Sequence, residues 1–240
     1  MVENALENFY AFPRIALVQI YRLITRVKTY NLSRIPDNST VLLAVNHTSG
    51  IDPIILLVGL KRKIYFIADS DNFKNRFSVF FMRKVANSIP LYQDQLRKNP
   101  STLKEMINIK NRAKTLFGYF PEGRRQSVKS FGKMHKGAAY FSYKLDIPLL
   151  PVYIHNHLKG PPRESLLGKV RALEGLIAIT INIFRKINIF VGEPIYPERI
   201  EPEKSKYKNR ELRSKSFREE IDRIFVLMVE QFIYLKSQAE

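Results

Sequence analysis

The chain has 240 residues, which suits one large domain or two small ones. Hydrophobic residues at 45% and aromatics at 12% exclude wholesale disorder, and the absence of Cys excludes a disulfide framework, a thiolate metal site and a cysteine nucleophile. With 40 Lys plus Arg against 22 Asp plus Glu, the formal charge is +18. Between Lys61 and Gly137 there are 18 basic and 5 acidic residues, so most of the surplus sits mid-chain and favours anionic partners.

The first 30 residues carry Phe9, Tyr10, Phe12, Ile15, Leu17, Val18, Ile20, Tyr21, Leu23 and Ile24. Gln19, Arg22 and Arg26 fall at i, i+3 and i+7, so the pattern predicts a helix with one narrow polar stripe and a wide apolar face. Such a helix lies in a membrane interface or docks on the protein's own core. No run of about 18 apolar residues predicts a membrane span. Early acids (Glu3, Glu7) and the interruption at Arg22 argue against a cleavable leader.

Thr40–Val45 is β-branched and apolar and predicts a buried strand. Pro53–Leu60 predicts a helix with Asp52 as N-cap and Pro53 at the first helical position. Ile64–Ala68 predicts a strand, Phe77–Val85 a helix, Ser88–Leu91 a short strand and Ser101–Lys114 a helix. Thr115–Phe120 predicts a strand that ends in Pro121-Glu122-Gly123. Lys136–Leu145 predicts a helix, and Ile147–Ile154 a strand interrupted by Pro148 and Pro151. Ile177–Ile183 and Ile187–Val191 flank Arg185-Lys186 as a hairpin, Glu201–Ser216 is a charged linker, and Phe217–Lys236 is an amphipathic helix. Strands alternating with helices define an α/β layered domain.

Two strand-end turns carry the chemistry-bearing residues. In Asn46-His47-Thr48-Ser49-Gly50-Ile51-Asp52, the spacing brings a carboxylate to an imidazole across a strand-to-helix turn, leaving the far ring nitrogen as a general base. The same spacing also fits a plain helix cap beside a satisfied turn histidine, and it does not choose between the two. A serine triad is disfavoured because no Gly-x-Ser-x-Gly occurs. His155 and His157, with no nearby carboxylate, make a poor metal site. In the second turn, Glu122 and Gly123 precede Arg124, Arg125, Lys129, Lys133 and Lys136, with a helix starting just after. Arginines on a glycine turn beside a helix start suit a phosphate. A basic surface loop is the alternative.

In order, Asn-His-x-x-x-x-Asp, Phe-Pro-Glu-Gly-x-Arg, Phe131-Gly-Lys-x-x-Lys-Gly-Ala-Ala139, the proline-bracketed strand Ile147–Pro151 and Val191-Gly-Glu-Pro194 resemble the glycerolipid acyltransferases. The nearest pattern is that of the 1-acyl-sn-glycerol-3-phosphate acyltransferases. The resemblance runs from Val41 to about Pro194. It implies a single α/β acyltransferase domain over residues 31–240 with a central mixed sheet, preceded by a membrane-docking helical segment over residues 1–30. It implies His47 as general base, Asp52 as its orienting partner, and Glu122, Gly123 and Arg125 as acceptor-phosphate and site-shaping residues. Arg124 and Lys136 join that group from the charge pattern. The implied partners are an acyl-CoA or acyl carrier protein donor, a lysophospholipid acceptor and an anionic membrane surface at the cytoplasmic face, held peripherally or monotopically. No metal, organic cofactor or nucleic acid is implied. Two positions depart from the family pattern: Gln93 stands where an arginine is usual, and Arg124 where a small hydroxyl residue is usual. These departures leave open a related acceptor, such as glycerol 3-phosphate or another lysolipid. A non-catalytic basic binding module is the competing class, but it has no need for His47 and Asp52 together.

Overall fold

The computed structural model describes residues 12, 15, 16, 18–92, 99–123, 131–156, 186–198 and 210–240. Seven strands are formed: β1 (Arg26–Tyr30), β2 (Val41–Val45), β3 (Ile64–Asp69), β4 (Ser88–Leu91), β5 (Leu116–Tyr119), β6 (Leu149–Asn156) and β7 (Lys186–Val191). The helices are α1 (residues 18–24), α2 (Asp52–Leu60), α3 (Arg76–Phe80), α4 (Asn99–Arg112), α5 (Gly137–Leu145) and α6 (Arg210–Ala239).

The sheet order is β1-β7-β6-β2-β5-β3-β4. β2, β3, β4, β5 and β6 run parallel, β7 is antiparallel to β6, and β1 is parallel to β7. The sheet is therefore mixed, as the sequence leads one to expect. The central strands read as continuous apolar runs because both faces are covered. Along β2, Leu42 and Ala44 face one core while Val41, Leu43 and Val45 face the other. The first core is closed by Met106 of α4, Ala138, Ala139 and Phe141 of α5, and Ile224, Met228 and Phe232 of α6. The second is closed by Tyr21 of α1 and by Ile55, Leu56 and Val58 of α2. At Gly59 of α2, an added Cβ would stand 2.3 Å from Ile189 Cδ1 and 2.8 Å from Thr29 Oγ1, so glycine lets the helix lie close on β1 and β7.

The structure corrects several local expectations. Arg26 opens an edge strand rather than extending a helical polar stripe, because its segment finds a backbone partner in β7 at Lys186. Asp52 is not the N-cap of α2: Ile51 takes that place without a side-chain bond, and Asp52 is the first helical residue. The 77–85 helix is split into α3, capped by an Asn75–Ser78 capping box, and a wider π turn over Phe81–Val85. β6 continues through Pro151, whose carbonyl accepts from Gly192 N at 2.8 Å. The expected strand over 177–183 and most of the 201–216 linker lie outside the described residues.

Candidate active site

β5 and β6 flank β2 and run parallel to it, so the carboxyl ends of all three share one edge of the sheet, where α/β folds place ligands. The pairing of β2 with β6 reaches Val45↔Val152. There the side chain of Asn46 takes over. Its Nδ2 donates to the Ile154 carbonyl at 3.1 Å and its Oδ1 accepts from Ile154 N at 2.6 Å. Asn46 is buried, so this two-way clasp replaces a ladder rung and fixes where the next residue, His47, leaves the sheet.

The Asp52 carboxylate is fully buried and turns back from α2 onto the preceding turn. Its Oδ2 accepts from Thr48 N at 2.7 Å and Ser49 N at 2.8 Å, and it lies 2.9 Å from His47 Nδ1. Two N–H groups already converge on this oxygen, so it acts as an acceptor, and the third contact requires the proton to sit on His47 Nδ1. Nε2 then presents its lone pair on the opposite side of the ring. The His47 side chain is 20% exposed, enough for a reactant to reach it. The carboxylate therefore holds the imidazole and its turn, and it does not cap the helix.

Glu122 arrives from the end of β5. The turn Phe120-Pro121-Glu122-Gly123 is closed by Gly123 N donating to the Phe120 carbonyl at 3.0 Å, with Gly123 at φ 65, where a side chain would be strained. Glu122 is 4% exposed. One carboxyl oxygen accepts from His47 N at 3.2 Å and the other from Gly132 N at 3.1 Å. Glu122 thus straps the histidine turn to the segment around Gly132. Burial is the dominant influence on its carboxyl and pushes its pKa above the usual value, against the lowering effect of the two backbone donors. Phe120 lies against the His47 ring at 4.4 Å between centroids and stacks on Phe66 at 6.4 Å, giving the imidazole an apolar wall.

His47, Asp52, Glu122 and Gly123 therefore meet at one sheet edge. Lys136 does not point to them: its ammonium pairs with Asp222 of α6 at 2.6 Å. Arg124, Arg125 and Gln93 lie outside the described residues. Sequence reasoning assigned no role to Asn46 or Phe120, nor the strap to Glu122. A strand-end amide beside the histidine and an aromatic before the Pro-Glu-Gly turn were the signals available.

A buried carboxylate holds a partly exposed histidine at the carboxyl edge of a mixed sheet, a geometry that a general base can use. The acyltransferase family model matches residues 26–155. The chain belongs to the acyltransferase family and is an enzyme of that kind. The 1-acyl-sn-glycerol-3-phosphate acyltransferase of Bacillus subtilis (strain 168) is 28% identical over 188 residues, covering 78% of this chain and 82% of that protein. A probable 1-acyl-sn-glycerol-3-phosphate acyltransferase of Mycoplasma pneumoniae is 26% identical over 208 residues, covering 81% and 73%. The fold is that of the 1-acyl-sn-glycerophosphate (LPA) acyltransferase PlsC from Thermotoga maritima, with TM-score 0.50 and 18% identity over 95% of this chain and 89% of that one.

Proposed function

We propose that the enzyme transfers a fatty acyl group from a thioester donor, acyl-CoA or an acyl carrier protein, to the free hydroxyl of 1-acyl-sn-glycerol-3-phosphate, giving phosphatidic acid. The observation that carries this reading is the 2.9 Å contact of His47 Nδ1 with a carboxylate that is itself pinned by two backbone N–H groups. Nε2 of His47 accepts the hydroxyl proton as the oxygen attacks the thioester carbonyl. The tetrahedral intermediate then collapses, the carbon–sulfur bond breaks, and the proton passes from His47 to the departing sulfur. Asp52 holds the ring and offsets the charge of the transient imidazolium. The chain has no cysteine and no elbow serine, in keeping with direct transfer without an acyl-enzyme. Thiolate is a good leaving group, so positioning of the two substrates supplies much of the rate.

The acceptor's phosphate is assigned to Arg125 and Arg124, beside a turn whose shape Glu122 and Gly123 set. Lys136 can join them only if its pair with Asp222 opens. The enzyme works at the cytoplasmic face of the membrane, held peripherally or monotopically. Among the described residues no helix is long and apolar enough to cross a bilayer. The departures at Gln93 and Arg124 support one further reading, in which glycerol 3-phosphate or another lysolipid is the acceptor.

Purified enzyme offered acyl-CoA and acyl carrier protein donors, each with lysophosphatidic acid, glycerol 3-phosphate and neutral lysolipids, tests the assignment. Fastest turnover is expected with lysophosphatidic acid and none with His47→Ala. No transfer to any acceptor, or undiminished transfer by the variant, overturns it.

A further inference from the structure

Between Lys74 and Lys84 the sequence has four basic residues (Lys74, Arg76, Arg83, Lys84) and no acidic one. In the same stretch Phe77, Phe80 and Phe81 are 77%, 42% and 47% exposed. They fall at i, i+3 and i+4 and so share one face at the end of α3. Exposing three phenyl rings together is costly in water, and each gains by leaving it. Lys74, Arg76 and Lys84 around them are exposed too; Lys74 pairs with Asp71 at 3.4 Å and Arg83 with Glu105 at 2.7 Å.

The topology places this patch. β3 runs parallel to β5, and β5 to β2, so Asp69 at the end of β3 lies on the same sheet edge as the His47 turn. The chain reaches α3 a few residues later. Phe12, Ile15, Ile20, Leu23 and Ile24 on and before α1 are exposed as well, with Leu23 85% exposed. α1 leads directly into Arg26, which pairs with Lys186 where β7 begins. β7 is antiparallel to β6, so that beginning also lies at the edge of the His47 turn. In the order β1-β7-β6-β2-β5-β3-β4, β1 and β3 stand on either side of β2, about 24 Å apart at ordinary strand spacing.

We infer that the Phe77–Phe80–Phe81 patch with its basic surround is a second membrane-contact surface. It inserts phenyl rings into an anionic bilayer, so that α1 and α3 straddle the histidine turn and hold it against the lipid plane. The occupant is an anionic phospholipid surface: the patch offers apolar rings with cations around them, the complement of acyl chains beneath phosphate headgroups. The inference rests on the lipid acceptor proposed above, and it explains how a lipid is met at the bilayer surface rather than extracted from it.

The chain has no Trp, so a Phe77→Trp variant carries a single indole at an exposed position. With vesicles of equal parts phosphatidylcholine and phosphatidylglycerol, its emission should shift to the blue, and brominated acyl chains should quench it. Phe77→Ser/Phe80→Ser/Phe81→Ser should weaken sedimentation with those vesicles at least tenfold. Unshifted emission on vesicles that carry the protein down overturns the inference. So does a blue shift without vesicles that grows with protein concentration, which would mean that a second copy covers the patch. A shift produced by an acidic acyl carrier protein instead of lipid also overturns it. The readout is lipid contact and not turnover. Absent transfer with an intact spectral response refutes the functional reading alone, and intact transfer without the response refutes this inference alone.

Discussion

Asp52→Asn is nearly isosteric, so it isolates charge from shape. In the native turn, Oδ2 of Asp52 receives Thr48 N, Ser49 N and His47 Nδ1 within 2.7–2.9 Å, in a fully buried position. If the amide oxygen takes the place of Oδ2, all three donors keep a partner and the amide nitrogen falls toward Thr48 Oγ1, which contacts Oδ1 at 3.5 Å. The fold should therefore survive. Each of the two backbone bonds loses its charge assistance at about 1 kcal/mol, so unfolding should become easier by about 2 kcal/mol. The catalytic loss is larger. A unit charge about 4 Å from the imidazolium contributes about 4 kcal/mol at an effective dielectric near 20, which is about a thousandfold in rate. Thiol released from acyl-CoA can be followed with a disulfide reagent, and the enzyme adds no background because it has no Cys. Stability is read in parallel by urea titration. Turnover per folded molecule within a few-fold of the parent, with stability reduced as calculated, would show that Asp52 only braces the turn.

Glu122→Ala leaves His47 N and Gly132 N, both part-buried, without their acceptor, at about 1 kcal/mol each, so a urea midpoint close to the parent's would refute the strap. Because burial raises the Glu122 pKa, the native state holds this proton to higher pH than the unfolded chain. Stability should therefore fall as pH rises from the ordinary glutamate value of 4.5 through the raised native one, and an unchanged slope in Glu122→Gln would count against it. Arg125→Ala should raise the acceptor KM far more than the donor KM, and equal effects on both would return it to a surface role. Leu23→Ser with Ile20→Ser should weaken vesicle sedimentation and lower activity on long-chain acceptors while sparing a short soluble acceptor. Substitution is preferable to truncation here, because Tyr21 is 1% exposed and part of the core. Unchanged sedimentation would place membrane contact elsewhere.

Much of the fold was legible in local pattern. The β2, β3 and β5 runs were readable as buried strands because a sheet covered on both faces selects continuous apolar segments. The α6 stripe of Ile221, Ile224, Phe225, Met228, Phe232 and Leu235 was readable from its helical period, and all of these but the partly buried Phe225 are buried. The site was legible only as residue types on two turns. Whether Asp52 turns back to His47 or caps the helix depends on which way a short carboxylate points, and that is set by the N–H groups of Thr48 and Ser49, which sequence spacing does not encode.

Sequence by itself determined the alternation of strand and helix, the basic middle of the chain, the glycine turn at Gly123 and the chemical kinds gathered at the two strand ends. Tertiary structure decided what long-range pairing alone can decide. Arg26–Tyr30 became an edge strand because β7 offers it backbone partners 160 residues away. Asn46 became a clasp because its amide finds Ile154, 108 residues further on. Glu122 joined the histidine turn because β5 lies next to β2. Asp69, from which the chain runs on toward α3, stands at the edge of the His47 turn because β3 is parallel to β5 and β5 to β2. Local pattern is written in contacts a few residues apart, which propensity and periodicity read directly. The neighbours that convert residue types into a site are fixed by strand order, and strand order is settled only when the whole sheet is buried at once.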